Sequence, residues 1–369
     1  MPTHENSSTF STGIPRKSGT MSAWITHVGH ALPGRALPQA EVIDWLQRRL
    51  APGVDPQRLR RFAQRAGVVL RHAAIDLLGP EGDAMYPVGL PHADTLQRNI
   101  AFSRLAAPLA VAAVRAACPE GLGTITHLVV ATCTGAVAPG LDLQLIELLG
   151  LQRSVRRTMV GFMGCYAALP ALRIAADAVR ADPTARVLVV CCELSSLHFQ
   201  TGPADDALVA ACLFGDGAAA AVVAGSATGT RLQIRQDACV VVPETADAMA
   251  WTAAADGFRL RLAANVASAL AVGLPSLNET LLAGVPRENL QWIVHPGGPR
   301  ILDSVESTMV LPRTALSASR AALAQAGNRS SATVLAILSD VCQHSWVGPV
   351  VIYAFGPGLT AEGLVLERI

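Results

Sequence analysis

The strongest constraint on the fold is a set of short apolar runs, each stopping at a turn rich in glycine or polar residues. Arg186-Val187-Leu188-Val189-Val190-Cys191-Cys192 ends at Glu193-Leu194-Ser195-Ser196. His127 to Thr132 ends at Cys133-Thr134-Gly135, Leu290 to Val294 at His295-Pro296-Gly297-Gly298-Pro299, and Val350 to Ala354 at Phe355-Gly356-Pro357-Gly358. Runs of this kind are strands buried on both faces, as in a sheet covered by helices on each side. Between them lie stretches with helical spacing, at 94–117, 140–149, 313–326 and 330–338. The chain is therefore α/β, and ligands are expected at the carboxyl ends of its strands.

The 369 residues, 51% of them hydrophobic, suffice for one large domain or two coupled ones. A Gly/Ser/Thr-rich stretch, Gly225 to Gly229, divides residues 22–226 from 227–369. The formal net charge of +1 gives no electrostatic case for nucleic acid or an anionic membrane. No uninterrupted apolar run approaches a membrane span. Residues 1–21 are rich in Ser and Thr without a hydrophobic signal core, which reads as a disordered leader ahead of a cytoplasmic protein. Eight cysteines without CxxC spacing fit a reducing compartment and no metal site. Lys17 is the only lysine, so anion binding falls to arginine.

Gly161-Phe162-Met163-Gly164-Cys165-Tyr166-Ala167-Ala168 places a cysteine after a small turn and before a helix-forming run. Unpaired N–H groups and the helix dipole favour a thiolate there, and the thiolate is the nucleophile for acyl transfer. Taken alone, a cysteine reads first as a small buried hydrophobe. His295 and Asn328 also stand at element ends, where a histidine can serve as base and an asparagine as donor to an oxyanion. Each also has a plain structural reading, as a turn or cap residue. Asp55-Pro56 opens another helix, closed by Gly67, and Arg58, Arg61 and Arg65 line one of its faces. That row is either a phosphate grip or a solvated charged face.

Six motifs in register resemble the type III polyketide synthases, the chalcone synthase-like family of the thiolase fold. They are Gly161 to Ala167, Arg186 to Glu193, Leu213-Phe214-Gly215-Asp216-Gly217-Ala218-Ala219-Ala220, His295 to Pro299, Gly327-Asn328-Arg329-Ser330-Ser331 and Phe355 to Thr360. The resemblance implies a five-layered αβαβα fold made of two similar halves around five-stranded sheets, and a homodimer. It implies that Cys165 carries the acyl chain, that His295 pairs with it, and that Asn328 with His295 steadies an enolate. Phe214 matches a gatekeeping phenylalanine, and Arg58, Arg61 and Arg65 match the positions that hold coenzyme A phosphates. The implied substrates are an acyl-CoA starter and malonyl-CoA, with no cofactor.

Departures from the family pattern bear on the product. Leu260 replaces a second gatekeeping phenylalanine, Trp251 stands where the plant enzymes carry glycine, His198 where they carry threonine, and Ala138 replaces a methionine at the dimer-contact loop. With Thr134, Ser195 and Ser330, Leu260, Trp251 and His198 form the expected pocket wall. If Trp251 and His198 fill cavity volume, the expected product is short, an α-pyrone or a single aromatic ring. The nearest alternative is a β-ketoacyl-carrier-protein synthase III, whose histidine lies in a different turn. A non-catalytic scaffold is the alternative from another class, against which the intact Cys-His-Asn set speaks.

Overall fold

A computed structural model of the chain describes residues 22–368; the expected leader lies outside the described residues. Nine strands form one sheet: Trp24–Ala31 (β1), His127–Thr132 (β2), Arg156–Gly161 (β3), Arg186–Leu194 (β4), Asp216–Ala224 (β5), Leu232–Val241 (β6), Gln291–Val294 (β7), Val350–Gly356 (β8) and Thr360–Arg368 (β9). Their order is β7-β8-β9-β6-β1-β5-β4-β2-β3. The helices that frame the site are Pro56–Arg65 (α1), Thr95–Ala117 (α2), Ala168–Ala181 (α3), Asp205–Leu213 (α4), Val266–Leu281 (α5), Pro299–Thr308 (α6) and Ala332–Cys342 (α7).

The strand order contains a repeat. From β1 it runs to β5 and β4 through antiparallel pairs, then to β2 and β3 through parallel ones. From β6 it runs to β9 and β8 through antiparallel pairs and then to β7 through a parallel one. The second set stops at four strands, so the expected five per half holds only for the first. The short 3-10 turn Arg313–Leu316 lies against β7. Pro312, just before it, has no N–H to donate to a ladder. Two residue pairs, Trp24 with Gln233 and Ile25 with Leu232, join the two sets into one sheet.

Each strand sorts its side chains between two cores, which explains runs without alternation. In β4, Leu188, Val190 and Cys192 face an outer core that contains α2. Val187, Val189 and Cys191 face an inner core. In β8, Val351, Tyr353 and Phe355 face a second outer core built with α5 and α6. Val350, Ile352 and Ala354 face the same inner core as β4. That inner core is filled by α3 and α7 and is common to both halves. The layers are helix, sheet, helix, sheet, helix, the thiolase-like arrangement that the motifs implied.

Small side chains make the middle layer fit. Ala168, Ala171, Ala175 and Ala176 of α3 are fully buried, as are Ala332 and Ala336 of α7. Arg173 of α3 reaches Glu362 on β9 in a two-pronged pair of 2.8 and 3.2 Å. Glu362 is buried, so this pair is one whose partners depend on each other. Helix α2 is long and apolar enough to cross a membrane by length and composition. It lies instead along β1, β5 and β4. Its Arg98 is fully buried, donating to Ala93 O and to Tyr86 Oη, at 2.8 and 3.1 Å, and to Leu197 O.

Candidate active site

Cys165 lies in the 3-10 turn Gly164–Tyr166, which leads directly into α3. The turn is fixed by close approach. A Cβ on Gly164, whose φ is 81°, would fall 2.2 Å from Pro357 Cδ, and one on Gly356 would fall 2.6 Å from Tyr166 Cδ1. Only glycine fits at these contacts. Two of the sequence motifs therefore form a single packed unit.

Asn328 precedes α7 as Cys165 precedes α3. Its amide nitrogen and oxygen both stand 3.9 Å from Cys165 Sγ. The oxygen accepts the Ser330 N–H at 2.8 Å, which leaves the amide N–H to face the sulfur. Asn328 also pairs its backbone with the Phe214 segment, donating to Leu213 O at 2.8 Å and accepting from Gly215 N at 3.0 Å. The expected gate and the expected donor are thus one backbone unit. His295 follows β7, its N–H donating to Tyr353 O at 2.8 Å. The residue is 1% exposed, and neither ring nitrogen has a hydrogen-bond partner among the described residues. A buried imidazole left unpaired is a costly feature that function can explain.

Burial governs the charges. It pushes the Cys165 thiol up to about 12, a rise that the Glu193 carboxylate adds to and hydrogen bonds from Ser330 and Asn328 oppose. Burial, with the Arg329 charge, pulls His295 down to about 3. Desolvation therefore outweighs the thiolate preference expected from the helix N-terminus. Glu193, at the end of β4, is a residue that the sequence reading did not assign to the site. It is fully buried and accepts from Cys133 N at 3.0 Å, from Thr134 Oγ1 at 2.7 Å and from Ser331 Oγ. A carboxylate closing an apolar strand was the available signal.

A cavity of about 360 Å³ brings together Cys165, His295, Asn328, Ser330, Thr134, Ser195, Phe214, Trp251 and Leu260. Trp251 and Leu260 are directly opposed in the hairpin Met249–Ala254/Gly257–Leu262, and the indole N–H donates to Cys133 O at 2.7 Å. His198 does not line this cavity. It lines a second one of about 610 Å³, whose wall shares Ser195, Phe214, Trp251 and Leu260 with the first. Of the arginine row, Arg65 lines the mouth of the catalytic cavity. Arg58 is held by Asp205 and by Pro203 O, the latter at 3.0 Å, and Arg61 lies 3.5 Å from Asp55.

Family models for chalcone and stilbene synthases match the chain, the N-terminal domain over residues 14–227 and the C-terminal domain over 233–369. The chain belongs to this family. It is a type III polyketide synthase, an acyltransferase of a family that works on coenzyme A thioesters. An alpha-pyrone synthesis polyketide synthase-like protein of Mycobacterium tuberculosis is 30% identical over 96% of this chain and 94% of its own length. A probable polyketide synthase of Dictyostelium discoideum is 28% identical over 94% of this chain, which spans only 12% of that relative. The C-terminal type III polyketide synthase domain of Steely1 from Dictyostelium superposes with a TM-score of 0.87 at 27% identity, covering 94% of this chain and 99% of that one. The 1,3,6,8-tetrahydroxynaphthalene synthase of Streptomyces coelicolor gives 0.82 at 29% identity, again over 94% and 99%.

His198 generates a pH prediction. Its Nε2 donates to Thr134 O at 2.8 Å, its Nδ1 accepts from Phe258 N at 3.1 Å, and its ring stacks on Phe258 at 4.3 Å. Both nitrogens are satisfied in the neutral form, and burial pulls the pKa from 6.5 to about 4. Between those values the unfolded chain binds a proton that the folded chain does not, so this contribution to stability declines as pH falls through that window. Each pKa unit corresponds to about 1.4 kcal/mol. His198→Gln should therefore cost less stability at pH 4.5 than at pH 7, by roughly 2–3 kcal/mol in urea unfolding. An equal cost at both pH values would contradict the neutral assignment.

Proposed function

We propose that the chain loads an acyl-CoA starter onto Cys165, extends it with malonyl-CoA and cyclises a short polyketide. What carries the reading is the convergence of Cys165, His295 and Asn328, from three separate stretches, on one enclosed cavity. The thiol proton passes to the unprotonated ring nitrogen of His295, which has no hydrogen-bond partner among the described residues, and sulfur attacks the starter thioester. Coenzyme A leaves with a proton. Malonyl-CoA then loses carbon dioxide, and the electron pair of the broken bond becomes an enolate, stabilised by donors from His295 and Asn328. The enolate carbon attacks the Cys165 thioester and expels the thiolate. The extended chain, now a coenzyme A thioester, returns to Cys165 for the next round. The family match favours this reading over a carrier-protein condensing enzyme or a scaffold. Incubation of Cys165→Ala with starter acyl-CoA should give no acyl adduct by intact-protein mass spectrometry. A retained adduct would remove Cys165 from its assigned role.

The reading of product size rests on Trp251. Its indole, held by Cys133 O and packed against Phe214, His198 and Phe258, walls the catalytic cavity off from the second one. His198 supports that wall from behind. Leu260 leaves more room at the gate than an aromatic ring, which suits an alkyl or nonplanar starter. The short product that fits is an α-pyrone or a single aromatic ring, and the mycobacterial relative is named for alpha-pyrone synthesis. Trp251→Gly opens the wall and should lengthen the product by at least one malonyl unit or change its ring closure, as read by mass spectrometry of products. An unchanged product profile would return Trp251 to plain packing.

The protein is also read as a cytoplasmic homodimer, with the two halves divided at 226/227. None of its eight cysteines is in a disulfide, which suits a reducing compartment. Strand β3 is an edge strand, and Met159 within it and Phe162 just after it are 43% and 42% exposed. An open strand edge that carries two exposed apolar side chains next to the Cys165 turn is a surface that a second copy would cover. Light scattering should give twice the chain mass of 38.4 kDa. A monomer at micromolar concentration would overturn the assignment.

A further inference from the structure

The mouth of the catalytic cavity carries a cation that the arginine row does not include. Arg300, the second residue of α6, lines the mouth together with Arg65, at the end of α1. The two elements meet there. A Cβ on Gly67, whose φ is 70°, would fall 2.9 Å from Pro299 Cγ, so the backbone after Arg65 packs against the residue before Arg300. Neither Arg65 nor Arg300 makes a hydrogen bond or ion pair with another described residue. The rest of the row is engaged: Arg58 with Asp205 and Pro203 O, Arg61 with Asp55. Two guanidiniums from different halves of the chain thus flank one opening with no partner among the described residues, while Asp205 and Asp55 are taken up by Arg58 and Arg61 and the other acid in the cavity wall, Asp206, accepts from Ala207 N at 2.8 Å.

We infer that Arg300 is a phosphate contact for the coenzyme A part of the substrate, forming with Arg65 a clamp across the cavity mouth. A planar guanidinium on each side suits a ligand with several phosphate oxygens, which it binds through paired charge-assisted hydrogen bonds. The Asp205 carboxylate keeps Arg58 turned to the α4 side, so the grip shifts from the row on α1 to a pair that spans α1 and α6. The clamp rests on the reading that coenzyme A thioesters enter by this mouth, and the experiment separates the two.

Steady-state kinetics are measured for Arg300→Ala, Arg300→Lys, Arg65→Ala and the unaltered enzyme, each with malonyl-CoA and with malonyl N-acetylcysteamine thioester, which has no phosphates. Arg300→Ala should raise KM for malonyl-CoA about tenfold or more, leave kcat within about twofold, and leave the KM of the phosphate-free thioester unchanged. Arg300→Lys should recover part of the loss. An unchanged KM for malonyl-CoA in Arg300→Ala, beside a raised one in Arg65→Ala, overturns the clamp and keeps the mouth. Unchanged values in both variants overturn the mouth as well. An equal rise for both thioesters in Arg300→Ala, or a lowered unfolding midpoint that accounts for it, makes Arg300 a structural residue and overturns the phosphate assignment.

Discussion

Two helices, α3 and α7, are enclosed between the two layers of the sheet, and the geometry of the site depends on that enclosure. Both bury alanines where larger side chains would separate the layers. Protein interiors are packed densely enough that such helices have little freedom to slide or rotate. Cys165 and Asn328 stand just before their N-termini, so the 3.9 Å between them is set by the packing of the layer. The turns that carry them are pinned in the same way. Gly164 sits against Pro357, and a Cβ on Gly327 would fall 2.7 Å from Leu213 O. A helix end in the middle of a molecule usually leaves N–H groups that need a partner. Here those ends open onto the cavity, where an anionic intermediate would be favoured.

Enclosure also sets the electrostatics, and it works against the charges the chemistry needs. Desolvation disfavours both the thiolate of Cys165 and the imidazolium of His295. Glu193 adds to the cost of the first and Arg329 to the cost of the second. Neither group ionises readily by itself in such surroundings. Moving one proton from sulfur to nitrogen creates both ions together, and each then offsets part of the other's desolvation. On the proposed reading His295 thus acts as the base at the moment of attack. The orphaned ring nitrogens are consistent with that, since a satisfied imidazole such as His198 has no capacity left to accept a proton.

The parts of this structure that were legible in the sequence are those fixed by burial. Strands β2, β4, β7 and β8 are apolar because they face two cores; β2 has the bounds read from the sequence, and the other three differ by a residue or two. Asp55 does cap α1, accepting from Gln57 N at 2.9 Å. What was not legible depends on partners remote in the chain. Nothing near Arg58 announces Asp205, and nothing near Arg300 announces Arg65 across Gly67 and Pro299. Glu193 reads as a strand end until Cys133, Thr134 and Ser331 are seen to satisfy it. The sequence reading runs one helix over 313–326, where the structure has the 3-10 turn Arg313–Leu316 and then a helix from Ser317 to Ala326. His198 reads as a pocket residue until the hairpin places Phe258 over it.

That hairpin shows how catalysis and cavity shape are kept apart in one chain. Trp251 and Leu260 sit on a two-stranded element outside the central sheet. It is tied back by polar contacts: Trp251 Nε1 to Cys133 O at 2.7 Å, Gly257 N to Thr95 Oγ1 at 2.8 Å and Thr95 N to Ala255 O at 2.9 Å. In two of the three, the hairpin's own group is a backbone one, Gly257 N and Ala255 O, which persists when its side chains change. A substitution at 260 therefore alters the cavity wall with all three ties kept, and one at 251 gives up the indole tie while Gly257 N and Ala255 O stay held by Thr95. Either leaves α3 and α7 untouched, because their positions are fixed by the inner core and not by the hairpin. Cys165 and Asn328, two of the residues that would perform the reaction, lie on the most constrained layer of the molecule. Those that would shape its product lie on the element whose side chains can vary at least cost to that layer.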